Sequence, residues 1–315
     1  MVATVTDEQS AARELVRGWA RTAASGAAAT AAVRDMEYGF EEGNADAWRP
    51  VFAGLAGLGL FGVAVPEDCG GAGGSIEDLC AMVDEAARAL VPGPVATTAV
   101  ATLVVSDPKL RSALASGERF AGVAIDGGVQ VDPKTSTASG TVGRVLGGAP
   151  GGVVLLPADG NWLLVDTACD EVVVEPLRAT DFSLPLARMV LTSAPVTVLE
   201  VSGERVEDLA ATVLAAEAAG VARWTLDTAV AYAKVREQFG KPIGSFQAVK
   251  HLCAQMLCRA ERPWRWLWRR RCRCSRPPPR RSKVGCHRNR LRRGPHRRRP
   301  HRPARHGTTS EHTGA

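Results

Sequence analysis

Arg236-Glu237-Gln238-Phe239-Gly240-Lys241-Pro242-Ile243-Gly244-Ser245-Phe246-Gln247 is the stretch on which the fold turns. Upstream of it, apolar residues recur at helical spacing from Gly203 to Glu237, with Val206, Leu209, Val213, Ala216 and Trp224 on one side. Gly240, Pro242 and Gly244 break the period in a loop from Gln238 to Ser245. Ser245 then reads as the cap of a second helix to about Arg262, with Val249, Leu252, Cys253, Met256 and Leu257 along one side. A long helix, a short loop and a second helix are two struts of a helical bundle.

Working outward, residues 1–116 read as a helical domain. Ala11, Leu15, Val16 and Trp19 mark a helix from Asp7 to Arg21, and Trp48, Phe52, Leu55 and Leu58 mark another from about Ala45 to Leu60. Ser75, with Asp78 as capping-box acid, opens a third whose buried stripe is Ile76, Leu79, Met82, Val83, Ala86 and Leu90. A fourth covers about Val95 to Val105. Residues 117–202 change period. Phe120–Ile125, Gly143–Leu146, Val153–Leu156, Asn161–Val165, Val172–Val174, Ala187–Leu191 and Val196–Val201 are short β-branched runs. No crossover helix fits between them, so the expected sheet is antiparallel. Residues 203–261 form the two-helix part of the bundle. The expected class is α+β: a helical domain, a middle antiparallel β domain and an incomplete helical bundle.

The net charge of +6 hides two unlike parts. Residues 1–261 carry 20 Lys/Arg against 32 Asp/Glu, whereas residues 262–315 carry 19 against the single acid Glu311. A basic nucleic-acid-binding fold is therefore not implied for residues 1–261. Residues 262–315 are Arg/Pro-rich, with Leu267, Val284 and Leu291 as their aliphatics, and read as disordered. Their composition is also what an alanine-rich, GC-rich gene yields when read one base out of register. The eight cysteines show no disulfide spacing and point to a reducing, cytoplasmic setting. Val51 to Val65 is the longest mostly apolar run, short of the ~20 residues a bilayer span requires. Cys272, Cys274, Cys286 and His287 do not have a zinc-finger spacing, so no metal is expected. The glycines from Gly70 to Gly74 lack a phosphate-loop pattern and read as a turn needing positive φ.

Two stretches resemble the acyl-CoA dehydrogenase family. Leu58-Gly59-Leu60-Phe61-Gly62-Val63-Ala64-Val65-Pro66-Glu67-Asp68-Cys69-Gly70-Gly71-Ala72-Gly73 looks like its N-terminal helix-to-loop passage, and the segment from Arg236 matches its R-x-Q-F-G-x-P-I-x-x-F-Q pattern. The resemblance covers about residues 1–261. It implies FAD-dependent α,β-dehydrogenation of acyl-CoA thioesters, of fatty-acid or steroid side-chain type, with electron-transfer flavoprotein as acceptor. It also implies a homo- or hetero-oligomer with another subunit of the family, whose flavin pyrophosphate and AMP part are reached by Arg236 and Gln247, with Phe239 beside them. Arginine offers a planar fork of donors for pyrophosphate, and the first turn of a helix favours anions. Taken singly, Arg236 reads first as a solvated helix-end cation and Gln247 as an ordinary first-turn residue; the full twelve-position pattern reverses that and carries the functional reading.

The chain departs from the family twice. The T-E-P-x-x-G-S-D-like loop that lines the flavin ring is replaced by Ala121-Gly122-Val123-Ala124-Ile125-Asp126-Gly127-Gly128-Val129-Gln130. Beyond Arg262 no matching context carries the catalytic glutamate, and the catalytic residue is unassigned. These departures favour a partner-dependent subunit. The reading from another class is a nucleic-acid-associated protein, using the basic tail for phosphates and Trp264, Trp266 and Trp268 for stacking.

Overall fold

A computed structural model of the chain describes residues 6–22, 26–41, 46–158 and 160–274. The described residues belong to one compact unit. Six helices come first: α1 (Asp7–Thr22), α2 (Gly26–Glu41), α3 (Arg49–Gly57), α4 (Ile76–Arg88), α5 (Val95–Val104) and α6 (Pro108–Ala115). Helices α2 and α6 were not read from the sequence. The alanine-rich Gly26–Ala32 start of α2 offers little apolar contrast between helix faces, so periodicity gives no signal there.

Helix α4 opens as expected. The Ser75 Oγ accepts from the Asp78 N–H at 3.2 Å, and Asp78 Oδ2 accepts from the Ser75 N–H at 2.8 Å. Its burial exceeds the expected stripe, because Cys80, Ala81, Asp84 and Glu85 are buried too. The two acids are tolerated because α1 brings cations to them. Arg13 pairs with Asp84, and Arg17 Nη2 lies 2.5 Å from Glu85 Oε1. Burial nonetheless pushes the Asp84 carboxyl above its ordinary value, with Arg13 opposing. In the Val65–Gly74 loop, Gly70 takes φ +79° and Gly73 +67°, and the Gly71, Gly73 and Gly74 N–H groups donate to Pro66, Val65 and Val63 carbonyls. Those donors are used internally, which leaves no phosphate cradle.

The β region is β1 (Ala121–Ala124), β2 (Val129–Asp132), β3 (Thr137–Leu146), β4 (Val153–Ala158), β5 (Asn161–Asp166), β6 (Val172–Pro176) and β7 (Leu186–Val198). The order is β2-β3-β1-β4-β5-β7-β6, and β3 also pairs with β7, so β3, β1, β4, β5 and β7 close into a ring. Two expectations are corrected. The sheet is not wholly antiparallel: β1 and β4 are parallel, with Ala121 opposite Val153. Their crossover is the β2–β3 hairpin rather than a helix. In addition, the runs Ala187–Leu191 and Val196–Val201 belong largely to one strand, β7, which pairs successively with β3, β5 and β6. Alternation along β4 sorts the two cores. Val153 and Leu155 join the core shared with the helices, while Val154 and Leu156 face the inside of the ring with Val142, Val165 and Met189.

Helix α7 (Gly203–Val235, 33 residues) packs on α4, α5 and α8 (Gln247–Cys274). Among the described residues, α7 is the one helix long and apolar enough by length and composition to cross a bilayer; here it packs against α4, α5 and α8 as the central strut. A Cβ on Gly220 would lie 2.1 Å from the Asp84 carbonyl oxygen, so α4 and α7 touch backbone to backbone. Helix α8 runs past Arg262, its expected end, to Cys274. The expected disorder from Arg262 is therefore corrected over residues 262–274, which continue the backbone hydrogen bonding of α8. The expectations that rest on side chains from Arg262 onward and on residues 275–315 (disorder beyond Cys274, the cysteine set, nucleic-acid contact) lie outside the described residues.

Candidate functional site

The segment that decides the fold is a β-hairpin. Strands β8 (Glu237–Gln238) and β9 (Lys241–Pro242) pair antiparallel, Glu237 opposite Pro242 and Gln238 opposite Lys241. Both turn residues have positive φ, +53° at Phe239 and +74° at Gly240, the signature of a two-residue type I′ turn. Glycine adopts this freely. Phenylalanine does not, at a cost of roughly 1–2 kcal/mol, and its ring is 90% exposed.

Arg236 is held at the junction. Its N–H donates to the Tyr232 carbonyl at 2.9 Å, and its own carbonyl accepts from the Ile243 N–H at 2.8 Å. Its side chain is exposed and has no ion-pair partner among the described residues. Ser245, expected as the α8 cap, lies instead in a 3-10 turn, Ile243–Ser245, and Phe246 stands before the helix. The Phe239 and Phe246 rings meet edge to face at 6.1 Å, with Lys241 Nζ 4.6 Å over the Phe246 ring. Gln247, exposed at the start of α8, places Nε2 3.1 Å from His251 Nε2. All three expected residues thus share one corner. A guanidinium fork, an aromatic ring and an amide beside a helix N-terminus face solvent there.

The β-domain departure is equally concrete. Among residues 121–130 the only side-chain donor is Gln130. Asp126 is engaged by Arg144, 3.6 Å from Asp126 Oδ2, and by its N–H. A Cβ on Gly128 would fall 2.5 Å from the Thr141 carbonyl, so the turn lies flat on β3. Glu261, one of two acids after the hairpin motif, bridges to Arg223 at 2.8 Å; Glu311 lies outside the described residues. One acid escaped sequence reading. Glu217 on α7 is half-buried, and burial pushes its carboxyl up to about 7, with the Asp181 carboxylate adding to the effect. The signal was its isolation in Ala215-Ala216-Glu217-Ala218-Ala219.

Comparison with known proteins places this geometry. "Acyl-CoA dehydrogenase, N-terminal domain" matches residues 6–112, and "Acyl-CoA dehydrogenase, C-terminal domain" matches residues 208–281. The chain belongs to the acyl-CoA dehydrogenase family. As such it is an oxidoreductase of the class that acts on CH–CH bonds, and FAD is the cofactor of that class. This acyl-CoA dehydrogenase is 32% identical over 255 residues to acyl-CoA dehydrogenase IpdE2 of Mycolicibacterium smegmatis, covering 80% of the chain and 73% of the relative. It is 33% identical over 232 residues to IpdE2 of Mycobacterium tuberculosis, covering 74% of the chain and 66% of the relative. Among solved structures it resembles the Tcur3481-Tcur3483 steroid ACAD G363A variant, with a TM-score of 0.73 and 29% identity over 85% of this chain and 78% of that one. The ChsE4-ChsE5 complex from Mycobacterium tuberculosis shares the fold, with a TM-score of 0.67 at 23% identity over 84% of this chain and 79% of that one.

The donor set fits one end of FAD. Arg236 and the α8 N-terminus suit a pyrophosphate, and the exposed Phe239 ring offers an apolar face. Nothing comparable lies along residues 121–130 for the ring system.

Proposed function

We propose that this chain serves FAD-dependent α,β-dehydrogenation of acyl-CoA thioesters as one subunit of a cytoplasmic oligomer. In this reading it lends Arg236, Phe239 and Gln247 to a flavin held mainly by a neighbouring subunit of the same family. The observation that carries it is the outward presentation of these three side chains, together with the absence of ring-binding donors in residues 121–130. Arg236 neutralises and orients pyrophosphate, with its backbone fixed by the Tyr232 and Ile243 contacts. The free N–H groups in the first turn of α8 add donors, and Phe239 shields that end from water. FAD, when bound, accepts the hydride from the substrate β carbon. A steroid-derived acyl group is favoured over a simple fatty acid by the resemblance to a steroid enzyme at 29% identity, and electron-transfer flavoprotein is the expected acceptor.

The test is co-purification with a full-length acyl-CoA dehydrogenase homologue and measurement of flavin absorbance. The chain alone is expected to be colourless, and the complex yellow with FAD that depends on Arg236. Stoichiometric FAD on the isolated chain defeats the proposal.

A further inference from the structure

Gln247 does not stand alone at the hairpin corner. Its Nε2 lies 3.1 Å from the Nε2 of His251, and both side chains are exposed. His251 is four residues further along α8, so the two side chains share one face of the helix, a turn apart. The chemistry of the two atoms fixes their roles. An amide nitrogen carries two hydrogens and accepts nothing, so Gln247 Nε2 donates and His251 Nε2 accepts with its lone pair. In the neutral ring the proton then sits on Nδ1.

This bond matters because of where Gln247 stands. Phe246, which precedes α8, has no side-chain acceptor for the N–H groups of the first turn, so those donors stay available. An exposed glutamine samples many rotamers, and a ligand that requires one of them bears the ordering entropy on binding. Pairing with His251 restricts the amide beforehand. One Nε2 hydrogen is taken by His251, and the second remains for another acceptor beside the free backbone donors. Among the described residues, neither side chain makes another hydrogen bond. Lys241, a nearby cation, is occupied over the Phe246 ring at 4.6 Å.

We propose that His251 is the positioning residue for Gln247, holding its amide so that an Nε2 hydrogen is presented to an acceptor oxygen in the pyrophosphate and AMP part of FAD. The assignment rests on the flavin reading above. His251 does not touch the flavin in it and acts through Gln247.

The test is FAD affinity, by titration, of the full chain in complex with the full-length homologue. His251→Leu and Gln247→Ala are each expected to weaken FAD binding about three- to tenfold. In a Gln247→Ala background, adding His251→Leu is expected to change nothing, since the group to be positioned is gone. His251→Asn is expected to restore most of the affinity, because an amide four residues from a glutamine makes the same helix pair. His251→Lys is expected not to, although it brings a cation toward the phosphates. Every variant should melt with the wild type, both positions being exposed. Additive losses in the double variant overturn the assignment. So does affinity that Lys keeps and Asn loses, which would make His251 a direct cation contact. Arg236→Ala separates the two levels: FAD binding that depends on Arg236 and not on His251 overturns this assignment alone, whereas binding indifferent to both overturns the flavin reading and the assignment with it.

Discussion

Arg236 and Phe239 stand one turn apart and make opposite demands on the chain. Arg236 is exposed and has no ion-pair partner among the described residues, so Arg236→Ala should leave the melting temperature unchanged. In the assembled complex it should weaken flavin binding by roughly ten- to a hundredfold, the loss of a charge-assisted contact worth about 1.5–3 kcal/mol. Arg236→Lys should recover only part, since a point charge does not reproduce the fork. Titration of flavin against both variants checks this. Phe239 holds positive φ without burial, so Phe239→Gly should raise stability by up to about 1 kcal/mol in urea unfolding while weakening flavin binding. A loss of stability would mean that the ring works in the fold. Glu217 is a third case. Its folded-state carboxyl titrates at about 7 against an ordinary 4.5, mainly through burial, so the folded chain holds this proton more tightly than the unfolded one. No penalty falls on the fold below pH 4.5, and stability declines as pH rises toward 7. Glu217→Gln should remove that decline and gain on the order of 2 kcal/mol at pH 8, measured as melting temperature against pH.

The pairing of α4 with α7 depends on Gly220 more than on any side chain. With 2.1 Å between its absent Cβ and the Asp84 carbonyl, Gly220→Ala must push two backbones apart, and neither can yield as a flexible side chain would. A loss of about 2–4 kcal/mol in denaturant unfolding is expected, and a loss below about 0.5 kcal/mol would contradict the close crossing. The same crossing brings Asp84 and Glu85 under α1, where Arg13 and Arg17 meet them. Helix α4 was legible in the sequence because its cap, its acid three residues on and its apolar stripe agree. Helix α2 was not legible, because alanines do not distinguish a buried face from an exposed one.

At the scale of the molecule, the two-helix bundle leaves apolar surface uncovered. Val221, Trp224, Leu252 and Leu257 on α7 and α8 are between 39% and 59% exposed, which is what an interface awaiting a partner looks like. The chain should elute from gel filtration as a species larger than a monomer and bind a hydrophobic dye. Trp224→Ser with Leu252→Ser should shift it toward monomer without unfolding it. A monomer at all concentrations, with no dye binding, would contradict this.

The sequence by itself determined the order of helices, strands and helices, the Ser75 capping box, and the loop that breaks the helical period between Gln238 and Ser245. Each is a local matter of period, cap or turn chemistry, settled by residues within one or two turns of one another. Only the tertiary structure decided the parallel β1–β4 pairing, the closure of β3 on β7 and the merging of two runs into one strand. Strand partners are chosen by contacts between residues far apart in sequence, which periodicity does not record. The same reason hid the state of Glu217. Desolvation exists only once distant segments have closed around a carboxyl group.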